Sequence, residues 1–286
     1  MKALISVDME GISGIVHSSE TNPERYDYQR GRELMTTEAN AVIAGVLDAE
    51  PTADVLVADA HGTFRNLLPE QLDRRARLVR GKPRALNMLA GLDEETDAAL
   101  FVGYHVRAGE GPGVLAHTMN GEILDVRVTG RAPGEDVRVA GRSLGEIGLN
   151  AAMAGHLGVP VVLLSGDDAA CAEAAALIPE AVTVPVKEAL GMAAAVTLHP
   201  EEARDRLRRA AADAVSRRTE IPPLALTGPL EVEVDLASPH TIDLATLVPG
   251  VSRTAGARTV AFTASDYGTA YRLILLLAQL ATIRPA

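Results

Sequence analysis

Ala3-Leu4-Ile5-Ser6-Val7-Asp8-Met9-Glu10-Gly11-Ile12-Ser13-Gly14 is the stretch on which the reading of this chain turns. Ala3-Leu4-Ile5 is a short apolar run closed by a glycine-containing turn, the pattern of a buried strand. Asp8 and Glu10 stand two apart at its carboxyl end, and on an extended backbone residues i and i+2 point the same way. In open α/β sheets, ligands bind in the crevice outside the carboxyl ends of the strands. Two carboxylates held that close repel each other unless a proton or a cation sits between them. The pair therefore reads in one of two ways: as part of a divalent-metal site, or as a solvated strand end with an N-capping aspartate.

The same ending recurs twice. Val55-Leu56-Val57-Ala58 runs straight into Asp59-Ala60-His61-Gly62, and Ala98-Ala99-Leu100-Phe101-Val102-Gly103 is followed by Tyr104-His105. A lone histidine past a strand end is an ordinary structural residue. Two of them, with two carboxylates at a third strand end, make a donor set of the kind zinc takes. Val159 to Leu164 and Val182 to Val186 read as fourth and fifth strands. Asp27 to Ala49 carries Leu34, Val42, Ile43, Val46 and Leu47 at helical spacing and is ended by Pro51. Buried strands alternating with helices predict a three-layer α/β/α main domain.

Further along, Ala108 to Val114 is rich in glycine and proline and leads to His117, so a loop over the site is expected. Glu122 to Thr129 and Asp136 to Ala140 alternate in polarity around Ala132-Pro133-Gly134, the signature of a β-hairpin. It is expected to project as an arm that touches another subunit. Ser143 and Glu146 have capping-box spacing at the start of a helix running to about Leu157. Glu146 is either that cap or a carboxylate aimed at a metal. Asp167 and Asp168 precede a helix holding Cys171 and read as its caps, with contact to a substrate ammonium as the other reading.

Short elements are expected at Ala76 to Val79 (strand) and Ala85 to Leu92 (helix), and helices at Lys187 to Val196 and Glu201 to Arg217. Pro222-Pro223 marks a boundary. Beyond it come a strand (Leu230 to Leu236), a short helix (Ile242 to Leu247), a strand (Thr259 to Ala264) and a helix (Ser265 to Ala281). The division expected is a metal-binding α/β domain over 1–190, with the hairpin arm at about 120–141, and a smaller C-terminal α+β region over 191–286. His17, His156, His199 and His240 lack the strand-end setting and read as surface or packing residues.

Composition narrows the class. At 286 residues the chain can bury a substantial core. Its net charge of −11, from 38 acidic and 27 basic residues, argues against a nucleic-acid partner. Aromatic residues make up 3% and there is no tryptophan, so base-stacking platforms are not expected. Cys171 is the only cysteine, which rules out an intrachain disulfide and a thiolate metal cluster. No run of about 18 apolar residues is present, and Met1-Lys2-Ala3-Leu4-Ile5 is too short for a signal peptide's apolar region. A cytoplasmic protein with no membrane partner is expected.

Taken together, Ser6-Val7-Asp8-Met9-Glu10-Gly11, Asp59-Ala60-His61, Gly103-Tyr104-His105, His117-Thr118-Met119 and Gly145-Glu146-Ile147-Gly148-Leu149-Asn150 resemble the motifs of the DppA-type D-aminopeptidases, the M55 family of metallopeptidases. The resemblance implies a dinuclear zinc hydrolase, with two ions per subunit, that releases N-terminal D-amino acids from short peptides. By motif, Asp8, Glu10, His61, His105 and Glu146 match the family's zinc ligands, with Asp8 as the carboxylate that bridges the two metals. His117 matches the family's catalytic residue. The resemblance also implies a homodecamer of two stacked five-fold rings. The segment between His117 and Glu146 is longer than the family pattern by roughly one hairpin, which bears on the shape of the inner chamber. Two other readings stand beside this one. One is a dinuclear amidase or phosphoesterase acting on another small substrate, although only Arg107 offers a cation beside the motifs. The other is a non-catalytic, metal-dependent peptide-binding protein.

Overall fold

Apolar runs with no polar alternation dictate strands buried on both faces, and these build the centre of the molecule. The computed structural model describes residues 1–131 and 138–284. The chain opens with β1 (Lys2–Val7), a short α1 (Ser18–Thr21) and a long α2 (Tyr28–Ala49). Then come β2 (Asp54–Asp59), β3 (Arg77–Val79), β4 (Ala98–Tyr104), β5 (Ile123–Arg131) and β6 (Arg138–Ser143). Next are α3 (Glu146–His156), β7 (Val161–Asp167), α4 (Asp168–Leu177), β8 (Val182–Gly191), β9 (Ala194–Thr197) and α5 (Pro200–Ser216). The chain closes with β10 (Thr227–Leu236), α6 (Pro239–Ala245), β11 (Ser252–Arg253), β12 (Thr259–Ala264) and α7 (Tyr267–Leu280).

Seven strands form one sheet in the order β3-β2-β1-β4-β7-β8-β9, parallel throughout except for β9. The chain winds outward from β1 through β2 to β3, then returns to the other side of β1 as β4. The winding direction therefore reverses between β1 and β4, and doubly wound sheets bind ligands at that place. Helices α2 and α5 cover one face, where Val42, Ile43 and Leu207 pack with Ile5, Val57 and Leu100. Helices α3 and α4 cover the other, and beyond them lies a five-stranded sheet in the order β11-β12-β10-β5-β6. Leu4, Phe101, Ile147, Val232, Tyr267 and Ile274 belong to this second core, so the C-terminal strands and α7 are packed onto the main layers. The three-layer α/β/α architecture is thus present, with the smaller α+β part against it.

Several local expectations fail for identifiable reasons. Lys187 to Val196 is not a helix. It is the end of β8 and the start of β9, an antiparallel hairpin at the sheet edge. Val184, Val186 and Ala189 face inward while Pro185, Glu188 and Leu190 face outward, so strand pairing overrides the helical preference of the alanines. Ala85 to Leu92 holds only a single 3-10 turn, Asn87–Leu89, because Asn87 sits at φ +48°, outside the helical region. The capping box at Ser143 does not form. Gly145 is the N-cap of α3 without a side-chain bond, and the Ser143 hydroxyl donates to Asp125 instead.

The hairpin is not a free arm: β5 pairs along its length with β10, which places it inside the five-stranded sheet. Its expected turn at Ala132-Pro133-Gly134, and Asp136, lie outside the described residues. Helix α5, beyond the boundary expected at residue 190, packs against α2 on the seven-stranded sheet.

Candidate metal centre

The carboxyl ends of β1, β2 and β4 deliver their side chains to one place, as their parallel register requires. Asp8 follows β1 directly, and its N–H still donates to Val102 of β4. The chain then leaves through Gly11, whose N–H donates to the carbonyl of Gly103. A Cβ at Gly11 would stand 2.0 Å from the Tyr104 carbonyl oxygen, so only glycine lets the loop cross the end of β4. His61 follows β2, and its loop is fastened by Asp59, whose carboxylate accepts from Leu67 N–H and from the Asn66 amide. Asn66 in turn donates to the His61 carbonyl. His105 follows β4. Glu146 opens α3, and His117 comes from the loop between β4 and β5.

All six of these side chains meet. His61 Nδ1 lies 3.0 Å from Glu10 Oε2 and 3.3 Å from Asp8 Oδ1. His105 Nε2 lies 3.6 Å from Asp8 Oδ2 and 3.5 Å from Glu146 Oε1, and His117 Nε2 is 3.8 Å from that same Glu146 oxygen. Asp8, Glu10, His105 and Glu146 are buried, and His61 and His117 are partly open. Glu146 Oε1 also accepts from the backbone N–H of Met119, so the loop of His117 is tied to the start of α3.

Each histidine uses one ring nitrogen on a backbone carbonyl: His61 Nε2 on Thr21, His105 Nδ1 on Val106 and His117 Nδ1 on Leu115, at 2.9, 3.0 and 2.8 Å. A carbonyl only accepts, so the proton is fixed on that nitrogen and the other nitrogen faces the carboxylates. This is the arrangement that orients imidazoles as metal ligands.

Burial opposes charge on every member of the cluster, and the neighbours decide the outcome. Burial, with the Glu10 carboxylate beside it, pushes Asp8 up to about 7. Burial disfavours a charged Glu10 as well, but His61 holds it well below the usual carboxylate range. Burial lowers His105, and the opposing pull of Glu146 and Asp8 outweighs it, lifting the imidazole to about 10. His61 is raised well above its ordinary value in the same way, by Glu10 against burial. His117 goes the other way, lowered by burial and by the adjacent His105. Three buried carboxylates thus draw positive charge into the site, and in the protein alone the imidazoles supply it.

A divalent ion meets the same need. His105 Nε2 is buried and has no hydrogen-bond partner among the described residues, although two carboxylate oxygens lie just beyond bonding distance. Asp8, Glu10 and His105 bring one donor atom each to within 4.8 Å of one another, and so do His105, His117 and Glu146. Mixed imidazole and carboxylate donors suit zinc. The residues present fit the metal.

Around the cluster is a cavity of about 120 Å³, with Leu275 and Ala278 of α7 among the residues lining it. Phe64, Asn87 and Met119 line it, and all three adopt positive φ without being glycine. The only other described residue of that kind is Leu115, which accepts the His117 bond. Backbone strain costs of order 1–3 kcal/mol per residue and gathers where function holds it. The site is braced from below as well. Lys187, 3% exposed, sends its ammonium to the carbonyls of Glu10, Ile12 and Ile15 at 2.5, 3.0 and 2.6 Å. Burial pushes that ammonium down to about 8.

The remaining sequence candidates lie elsewhere. Asp167 caps α4 through Ala170 and accepts from Val114, and Asp168 accepts from Ala189, so both are spent on backbone. His17 and His199 are helix N-caps. A larger groove of about 810 Å³ beside Arg107 and Asp168 is lined by none of the cluster residues. The residues that sequence reasoning missed are Lys187, the cavity wall from α7, and Lys82 at the cavity's edge. The lysines carried no sequence signal, since neither sits in a pattern that distinguishes it from a surface charge.

A doubly wound α/β chain whose switch point gathers buried carboxylates and oriented imidazoles has the build of a metal-dependent hydrolase. The comparison with known sequences makes this definite: the chain belongs to the D-aminopeptidase family Peptidase M55, whose model matches residues 1–276. It is 37% identical over 281 residues to the D-aminopeptidase of Bacillus subtilis (strain 168), covering 98% of each chain. Among solved structures it resembles the Zn-dependent D-aminopeptidase DppA from Bacillus subtilis, described as a self-compartmentalizing protease. That match has a TM-score of 0.92 and 35% identity over the whole of both chains.

Proposed function

We propose that this protein is a zinc-dependent aminopeptidase that removes N-terminal D-amino acids from short peptides. The observation that carries the reading is the arrangement of His61, His105 and His117. Each is locked by a backbone carbonyl, so that its free nitrogen faces Asp8, Glu10 or Glu146. In this reading Asp8, Glu10, His61, His105 and Glu146 would hold two zinc ions. When bound, zinc supplies a Lewis acid and lowers the pKa of water to about 7.

His117 handles the proton. Its Nδ1–H is held by Leu115, its Nε2 opens on the cavity, and burial keeps it in the neutral form at neutral pH. It takes a proton from the attacking water and returns it to the leaving amine. The preference for D residues and the assembly of copies into a closed homo-oligomer are supported by the relatives described above, and the number of ten subunits is what the motif resemblance implies. A reducing, cytoplasmic setting suits a chain whose single cysteine, Cys171, is a buried free thiol.

The test is hydrolysis of D-alanyl and L-alanyl p-nitroanilide by zinc-loaded protein, with a chelated control. Chelator-sensitive turnover of the D form is expected. Turnover of the L form alone removes the stereochemical part of the reading. No turnover by protein that holds zinc removes the reading itself.

A further inference from the structure

We propose that Lys82 recognises the free C-terminal carboxylate of the substrate, so that the preferred substrates are dipeptides and other very short peptides with an unblocked end. This rests on the aminopeptidase reading and adds a specificity-determining residue to it. The cavity beside Asp8 and Glu10 is two-sided. Its floor is the acidic and imidazole cluster, and Lys82 is the one lysine or arginine among the described residues that line it. Other cations nearby are already engaged: Arg84, half-buried, donates to the carbonyls of Asp59, Asn87 and Val79, and Lys187 is enclosed by three carbonyls. Among the described residues the Lys82 ammonium makes no hydrogen bond and no ion pair; it lies over the face of Phe64, 5.5 Å from the ring centroid. Phe64 is itself held at φ +59°, a conformation that costs energy and is kept by its surroundings. The ring beside the exposed lysine is therefore set in place, and the Arg84 guanidinium stacks on it too, 4.0 Å from the centroid.

The dimensions agree with a small substrate. A cavity of about 120 Å³ is well below the roughly 300–1,000 Å³ of sites that enclose drug-sized ligands. The amino end of a peptide must reach the cluster, where its bond is cut. An extended chain advances about 3.5 Å per residue, so a dipeptide's carboxylate lies one residue beyond the scissile bond. Lys82 lines the edge of this small cavity with a flexible stem and a free charge. Longer or amidated peptides present no carboxylate there.

The experiment compares D-alanyl-D-alanine with its C-terminal amide, using zinc-loaded wild type, Lys82→Met and Lys82→Arg, with zinc content and thermal melting recorded for each. In the wild type kcat/KM favours the free acid by about tenfold, carried by KM, which is the weight of one charge-assisted contact. The ratio falls to near one in Lys82→Met and is retained in Lys82→Arg. An acid-to-amide ratio of one in the wild type, or an unchanged ratio in a folded, zinc-replete Lys82→Met, overturns the role of Lys82 while leaving the aminopeptidase intact. Absence of turnover of either peptide by the wild type overturns the aminopeptidase reading and this proposal with it.

Discussion

The imidazole rings of His105 and His117 lie face to face, 4.0 Å between centroids and 13° from parallel. One ring comes from the end of a central strand and the other from the loop above it, so the stack sets the height of His117 over the cluster. Without a metal the two rings are pushed opposite ways: His105 is lifted by Glu146 while His117 is lowered by burial and by His105. A neutral imidazole has a free nitrogen that can accept a proton. Replacing His117 with alanine should cut turnover by about 10²- to 10⁴-fold, the usual weight of a general acid–base. Zinc content, measured by metal analysis, should stay at the wild-type level. Full turnover by the variant would remove His117 from the mechanism.

Glu146 makes two contacts that can be separated. Its Oε1 faces His105 and His117, and the same oxygen accepts from Met119 N–H. Glu146→Gln keeps an acceptor for the backbone and loses the charge. This variant should melt near the wild type, yet lose a metal equivalent and most of its activity. Stoichiometric zinc in both Glu146→Gln and Glu146→Ala would take Glu146 out of the ligand set.

Gly11 tests the packing at the switch point. A methyl group there meets the Tyr104 carbonyl oxygen at 2.0 Å and the Gly103 carbonyl carbon at 2.5 Å. Both obstacles are backbone of a central strand and cannot swing aside. Gly11→Ala should therefore lower stability by about 2–4 kcal/mol, and should weaken zinc retention, because Glu10 is its neighbour. Urea unfolding reads the first effect and a competing chelator the second. A variant indistinguishable from the wild type in both would mean that the loop passes β4 with room to spare.

Glu38 predicts a pH dependence. It is fully enclosed under the loop that follows Glu10, with Oε1 accepting from Ser13 N–H and Oε2 unpaired. Burial raises its carboxyl from 4.5 to about 7 in the folded chain. Folding therefore favours the protonated form. That contribution is complete below about pH 4.5 and is lost as pH rises through about 7. Glu38→Gln has no proton to lose. Relative to the wild type it should gain stability as pH rises from 4.5 to 7, by up to about 3 kcal/mol, and gain no more above that. Unfolding free energies at a series of pH values test this, and a difference that is constant with pH would show that the carboxyl titrates normally.

Much of this site was legible in the chain because parallel strands end where ligands bind. Asp8, Glu10, His61 and His105 each follow an apolar run, and the register of β1 with β2 and β4 brings those ends together. Glu146 stood at a helix start where cap and metal carboxylate were both open, His117 followed a glycine-rich loop, and the resemblance of their motifs decided between the readings. Other features depend on tertiary partners that no local pattern reports. The alanines of 187–196 favour a helix until β7 and β9 pair with that segment. Ser143 has the spacing of a cap, but Asp125, brought close by the β5–β6 pairing, claims its hydroxyl. The positive φ of Phe64 and Met119 is invisible in residue types that seldom adopt it.

The three carbonyls gripped by Lys187 tie the loop of the first strand to a strand laid down some 175 residues later. By residue 146 a growing chain has already made every acidic and imidazole side chain of the cluster, yet the brace under Glu10 does not exist until β8 has docked. The support beneath the cluster is therefore completed only by the last parallel strand. A half-made chain carries all six side chains before the part that holds the first loop beneath them has been made.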